Sequence, residues 1–295
     1  MEINIPVTFA ELVNEIVKFT ELPREEVEHR VWMEAIDKGW NIQQDLNRFQ
    51  VTPHYYNDKM EQLYRESYGM LFENLVYWAK PNRQGWTESA LKRLKLYAKN
   101  HNLKHEELKI LMHGDGTGND SLYLAKNGFK VDYYDLPGSR TFDFAMKRFA
   151  FYELLDKSIE AIIDYNLCPM GQYDGVISFE VLEHLNAPVA AIRDIYSRLK
   201  MGGIALITEA FGRVDNIHPT HLATNAKYDG TTAFMFFKQG LVLSWYDRTY
   251  WFKPMEFVKL EKVSPLRLNR LLRDGVIRGK YLGAIGREMK QMFRR

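Results

Sequence analysis

Glu180, Glu183 and His184 stand together in "SFEVLEHL", directly after the apolar run "YDGVISF". A short helix there would gather all three side chains on one face through the i, i+3 and i+4 spacing. Two chemistries suit such a set. His184 or Glu180 can act as a general base, taking the proton of a nucleophile as it reacts. Alternatively, Glu180, Glu183 and His184 supply the carboxylates and imidazole of an oxygen/nitrogen metal site. Downstream, "HPTHL" adds His221 and, behind it, His218 as further ligands from a polar stretch. Glu209, closing the β-rich run "GIALITE", is another acid expected near the same reacting group.

A second cluster is suited to binding. "ILMHGDGTGNDSLYLA" carries Gly114, Gly116 and Gly118 at alternate positions, between an apolar run and an amphipathic one. That is the layout of a strand entering a nucleotide-type site through a tight turn. The dinucleotide pattern GxGxxG would need glycine at position 119, where Asn119 stands. Asp135 ends the next β-rich run, "FKVDYYD", and a carboxylate there suits the two hydroxyls of an adenosine ribose. Between the first two glycines lies Asp115, which would repel the phosphates of a dinucleotide. S-adenosylmethionine has no phosphate, and its ammonium and sulfonium are both positive, so an acid beside the loop fits it better.

These residues need elements to hold them. From Lys109 onward, "KILMH", "FKVDYY", "IEAII", "YDGVISF" and "GIALITEA" alternate with helical stretches at 118–127, 140–156 and 187–200, the pattern of a parallel sheet with crossover helices. A helix "TTAFMFFKQ" follows, and then "LVLSWYD" and "TYWFKP" read as an antiparallel hairpin at the sheet edge. Residues 7–100 are helical in period. "TFAELVNEIVKF" opens with a capping box, Thr8 with Glu11. "PREEVEHRVWMEAIDKG" runs from Pro23 to Gly39, and further helices are expected at 55–66, 69–79 and 87–100. The expected fold is therefore α/β: a Rossmann-like, seven-stranded, mostly parallel sheet with an edge antiparallel hairpin, preceded by an α-helical region. The expected division is 1–105 (helical cap), 106–256 (Rossmann-like domain) and 257–295 (basic, partly helical segment). Phe49, Tyr55, Tyr56, Tyr64, Tyr68, Phe72, Tyr77 and Trp78 concentrate in the helical part, as core of a bundle or as a lid that keeps water from the reaction.

Composition narrows the classes. With 46% apolar and 26% charged residues in 295, the chain is a globular protein, and its net charge of +2 gives no global case for nucleic acid. The exception is the end: from Lys259 to Arg295 eleven Lys/Arg face three Asp/Glu, a segment able to hold a phosphate-bearing acceptor or RNA. Cys168 is the only cysteine, which points to a reducing compartment. No continuous apolar stretch marks the N-terminus, so a cytoplasmic protein without membrane attachment is expected.

From about 107 to 255 the sequence resembles class I S-adenosylmethionine-dependent methyltransferases. The resemblance rests on "ILMHGDGTGNDSLYLA", Asp135 after "FKVDYY", Asp164 after "IEAII", "YDGVISFEVLEHL" and "LKMGGIALITEAF". It implies that Gly114, Asp115, Gly116, Thr117 and Gly118 border the cofactor, that Asp135 with Leu136 takes the ribose, and that Phe179 lines the same site. Asp164 would meet the adenine amino group, with Tyr165 alongside the ring. The chain departs from the family two residues before the first glycine, where an acid is usual and Met112 stands; Asp115 is the candidate substitute at the methionine ammonium. The E-x-x-E-H run with its downstream histidine also resembles the metal site of small-RNA 2′-O-methyltransferases and ubiquinone-type O-methyltransferases. The resemblance implies methyl transfer to an oxygen or nitrogen, and the near-zero net charge with the aromatic helical part makes a small metabolite the expected acceptor. Its rivals are RNA 2′-O-methylation, a non-catalytic protein that binds the cofactor and, behind both, a dehydrogenase.

Overall fold

A computed structural model describes residues 2–250 and 253–260. Most of the basic C-terminal segment, with Trp251 and Phe252, lies outside the described residues.

The seven strands are β1 (Lys109–His113), β2 (Lys130–Tyr134), β3 (Ile159–Ile162), β4 (Tyr173–Phe179), β5 (Leu199–Thr208), β6 (Leu241–Tyr246) and β7 (Met255–Lys259). They form one sheet in the order β3-β2-β1-β4-β5-β7-β6. The first five are parallel, and β7 runs antiparallel to both of its neighbours. This is the Rossmann-like α/β architecture expected from the alternation of short runs. Strand order reverses between β1 and β4, and the carboxyl ends of those two strands are where such sheets bind ligands. All seven residues of β4 are buried, as a central parallel strand covered on both faces requires.

The helices are α1 (Phe9–Phe19), α2 (Arg24–Ile36), α3 (Trp40–Phe49), α4 (Asp58–Glu66), α5 (Gly69–Trp78), α6 (Pro81–Asn100), α7 (Asn119–Lys126), α8 (Arg140–Phe151), α9 (Pro188–Arg198) and α10 (Thr232–Lys238). The Thr8–Glu11 capping box at α1 is formed. One face of the sheet is covered by α6, α7 and α8, through Leu94, Leu122 and Phe149 against Ile110 and Ile177. The other packs on α9 and α10, through Ile192, Ile195 and Phe236 against Ala205 and Ile207. Helices α1, α2 and α5 share a separate core that reaches the sheet layer at Phe144, and α3 and α4 pack around Leu46 and Leu63. Among the described residues no helix is long and apolar enough to cross a membrane.

Three expected elements differ. The second hairpin strand is Met255–Lys259, not "TYWFKP". Asp247 begins a turn by accepting from Thr249 N at 2.8 Å, and the strand opens only after Pro254, which has no N–H for a ladder. Helix α6 begins at Pro81, six residues before the expected start at 87, because proline at the first helical position opens a helix rather than breaking it. Helix α3 was not expected at all; Gly39 in the left-handed region starts it.

Two buried ion pairs fasten the helical region to the glycine loop. Arg148 of α8 is fully buried and donates to Glu15 of α1, to the Thr117 carbonyl and to Asn119, each at 2.8 Å. Asp120, in the first turn of α7, accepts from Trp78 Nε1 at 2.9 Å and from Arg83 and Thr87 of α6. Removing one partner of a buried pair leaves an uncompensated charge. Glu15→Ala should therefore lower stability by about 3–5 kcal/mol in urea denaturation; a loss below about 1 kcal/mol would show that the pair is not fastening the loop.

Candidate active site

The glycine loop leaves β1 and is held from two sides. Gly114 N donates to Tyr134 O at 2.8 Å, and Tyr133 Oη donates to Gly116 O at 2.6 Å. Gly116 (φ +57°) holds a left-handed backbone that a side chain would strain, and a Cβ there would have to displace the Asn74 amide of α5, 2.5 Å away. Asp115 turns its carboxylate back onto α7, accepting from Asp120 N at 3.1 Å and Ser121 N at 2.7 Å. Burial, reinforced by the neighbouring Asp120 charge, pushes Asp115 up toward its neutral form. The acid between the glycines is thus a helix cap, and repulsion of phosphates is not its evident task. Asp135 accepts from Gly116 N at 2.5 Å and from Leu136 N at 2.7 Å.

A cavity of about 310 Å³ opens beside this loop at the ends of β1 and β4. Gly114, Asp115, Gly116, Thr117, Asp135, Leu136, Phe179, Glu180 and His184 all line it. Gly118 instead caps α7 beneath the loop. Asp164 is exposed and accepts from Asn166 N at 2.9 Å, and Tyr165 packs 4.5 Å from Tyr134 and 5.4 Å from His113. Glu209 is committed to Phe211 N at 3.0 Å and Thr232 Oγ1 at 2.9 Å, outside the cavity wall. His218 pairs with Asp215 at 2.8 Å and Lys38 Nζ at 2.9 Å.

"SFEVLEHL" does not place its acids on one helical face. Only Leu182–His184 forms a 3₁₀ turn, and Glu180 precedes it at φ +55°. Glu180 consequently faces the cavity, where Lys253 Nζ donates to it at 2.6 Å. Burial would raise its pKa, but the Lys253 ammonium outweighs that and brings it down to about 2. Taking up a proton would cost Glu180 its pairing with Lys253, so it is occupied structurally rather than free to act as a base. Glu183 points the other way and is fully buried, and neither carboxylate oxygen has a hydrogen-bond partner. Burial, with Glu180 nearby, pushes Glu183 well up.

His184 Nδ1 lies 3.2 Å from Thr220 O and 3.0 Å from Tyr64 Oη. A carbonyl can only accept, so Nδ1 carries the proton and Nε2 keeps its lone pair. Burial lowers the His184 pKa to about 4, so the ring is neutral near pH 7. His221 Nδ1 is also buried without a partner, and one donor atom each from Glu183, His184 and His221 lie within 4.8 Å of one another.

The sequence reading did not single out several residues that complete the cavity. Glu73 and Asn74 come from α5 and Arg83 from α6, while His113 ends β1 with Nδ1 3.1 Å from Ser178 Oγ. Tyr56, Tyr64 and Tyr77 do come from the aromatic stretch read as core or lid. The link between α3 and α4 is tied to the segment after β5 at His54: its N donates to Pro219 O at 2.7 Å, its O accepts from Ala223 N at 3.0 Å, and its Nδ1 lies 2.9 Å from His221 O.

A family profile described as "Methyltransferase domain" matches residues 62–263. The chain belongs to the class I S-adenosylmethionine-dependent methyltransferases. No curated protein sequence matches it. Among solved structures, it is similar to the [4+2]-cyclase SpnF at 17% identity, with 73% of each chain covered and a TM-score of 0.40. The CurJ carbon methyltransferase is 14% identical, covering 68% of this chain and 61% of that one, at a TM-score of 0.48. A SAM-dependent methyltransferase from Aquifex aeolicus is 15% identical, covering 69% of this chain and 97% of that one, at a TM-score of 0.45. As a methyltransferase domain, the chain is a transferase with S-adenosylmethionine as its cofactor.

The Glu180–Lys253 pair gives a pH-dependent signature. A depressed carboxyl pKa contributes stability that is present above the unfolded value, about 4.3, and lost as pH falls toward 2. Lys253→Ala should cost about 3 kcal/mol at pH 7, and the gap to wild type should narrow between about pH 4 and pH 3. Urea denaturation at several pH values measures this; a gap that stays constant down to about pH 3 would mean that Glu180 is not the group held by Lys253.

Proposed function

We propose that the protein moves the methyl group of S-adenosylmethionine to an oxygen or nitrogen of a small molecule held between residues 106–256 and a cap formed by residues 1–105. The observation that carries this reading is one cavity shared by the glycine loop, Asp135 and His184 and walled by Tyr56, Tyr64 and Tyr77 from the cap. Asp135 takes the ribose hydroxyls, releasing the Gly116 amide it holds at 2.5 Å. His113 and Tyr134 line the cavity and take the place beside the adenine that Tyr165, packed behind them, was expected to fill. The acceptor attacks in line with the sulfur–methyl bond, with most of the rate coming from positioning. His184 Nε2 receives the acceptor's proton, its orientation fixed by Thr220 O and Tyr64 Oη. Cys168 as the lone cysteine suits a cytoplasmic enzyme acting on a metabolite.

Asp135 tests the cofactor assignment directly. A charge-assisted hydrogen bond is worth about 1.5–3 kcal/mol, so Asp135→Ala should weaken binding of S-adenosylhomocysteine roughly 10- to 150-fold in calorimetry. Unchanged affinity would remove Asp135 from the site.

A second reading, that a divalent ion assists the transfer, is favoured by the partnerless buried oxygens of Glu183 and the partnerless Nδ1 of His221. The donor set fits an ion: Glu183, His184 and His221 would hold it, while Glu180 is taken by Lys253 and His218 by Asp215. A bound ion would polarise an acceptor oxygen. Activity should then fall on exhaustive chelation and return with added metal, and His221→Ala should blunt the recovery. Full activity in protein shown metal-free by elemental analysis would exclude the ion.

A further inference from the structure

Glu73 is the one acid of the cavity wall whose carboxylate the fold leaves unemployed. It projects from α5 into the cavity, half-buried, and among the described residues no hydrogen bond or ion pair within 4.0 Å engages it. Lys38 and Lys80 are the cations that act on it, and neither comes within 4.0 Å of its carboxylate. Arg83 is bound to Asp120, Lys253 to Glu180 at 2.6 Å, and Lys38 Nζ lies 2.9 Å from His218 Nε2. Asp115 and Asp135, the other acids at the wall, accept backbone N–H groups of the glycine-loop region. Among these wall acids, Glu73 alone has neither a hydrogen bond nor an ion pair within 4.0 Å.

Desolvating a carboxylate without pairing it costs folding free energy, and burial indeed pushes Glu73 up to about 7. Such a cost is understandable if a ligand supplies the missing charge. The surroundings specify what kind: Tyr56, Tyr64 and Tyr77 line the same cavity, and aromatic faces together with a carboxylate attract a cation. An anionic acceptor, a carboxylate or a phosphate, would gain no pairing from Glu73 and be repelled by its ionised form.

We infer that the methyl acceptor carries an amine, and that Glu73 recognises it by pairing with its ammonium form against the cap tyrosines. This deepens the proposed function and rests on it. Glu73 contributes to choice of acceptor; cofactor binding is left to the glycine loop and Asp135.

The test uses full-length protein saturated with S-adenosylhomocysteine and titrated with matched amine, alcohol and carboxylate probes on benzyl, phenethyl and butyl frames. Amines should bind about tenfold or more tightly than the corresponding alcohols, and Glu73→Gln should abolish that preference while leaving S-adenosylhomocysteine affinity unchanged. Binding of alcohols or carboxylates as tightly as amines, binding of no amine, or a preference that survives in Glu73→Gln would each overturn the inference with the cofactor reading intact. Failure to bind S-adenosylhomocysteine at all would bring down the broader reading instead, and this one with it. Thermal melting supplies an independent arm. Glu73→Gln removes an unpaired charge and should melt no lower than wild type; a clear fall in melting temperature would make Glu73 a structural residue and overturn its assignment to the ligand.

Discussion

A guanidinium with no access to water, that of Arg148, sits behind the glycine loop and can exist there only because Glu15 matches its charge. The same group holds the Thr117 carbonyl and the Asn119 side chain, so the shape of the loop and the docking of α1 are one event. Arg83 and Asp120 repeat the arrangement on the other side of α7, joining α6 and Trp78 to the loop's helix. Low dielectric makes each of these pairs demanding: complete, they fix a geometry; incomplete, they leave a charge with nowhere to go. The helical region is therefore part of what gives the cofactor loop its form, beyond being a cover for it.

The same logic sorts the acids around the cavity. Asp120 and Glu180 are held ionised by Arg83 and Lys253 against the effect of burial. Asp115 and Glu183 have no such cation and are driven toward their protonated forms. Acids that look alike along the chain thus differ in chemical state according to which basic side chain the fold delivers. Near pH 7, His184 is neutral and Glu180 beside it is ionised.

Much of this could be read from the chain. Five strands, the glycine turn, Asp135 and His184 carry local signals: apolar runs of strand length, glycines at alternate positions, and acids and imidazole at strand ends. What escaped depends on partners distant in sequence. Glu73 lies in "GMLFENLVYW", where nothing nearby says that its face meets β1's loop. Lys253 reaches Glu180 across 73 positions. Asp115 was read as a charge aimed at a ligand, and only the three-dimensional course of α7 reveals it as that helix's cap. The expectation that Glu180, Glu183 and His184 share a face assumed a regular helix; one left-handed residue at Glu180 was enough to send the two acids in opposite directions.

The tie at His54 differs in kind from the buried pairs behind it. Its three contacts join neutral groups, two of them wholly backbone, and each is worth about 1 kcal/mol net once water can replace it. The pairs at Arg148 and Asp120 have no such substitute. The seams therefore differ in strength: hydrogen bonds without a paired charge, from Gln43, His54 and Tyr64, tie the α3–α4 corner to residues 216–223, while buried ion pairs join α1 and α6 to the glycine loop and its helix. An enzyme that must admit one ligand and expel another from beneath a roof needs that ranking of weak and strong seams. Tyr56 and Tyr64 belong to the weak seam, and Tyr77 of α5, with the cofactor end, belongs to the strong one.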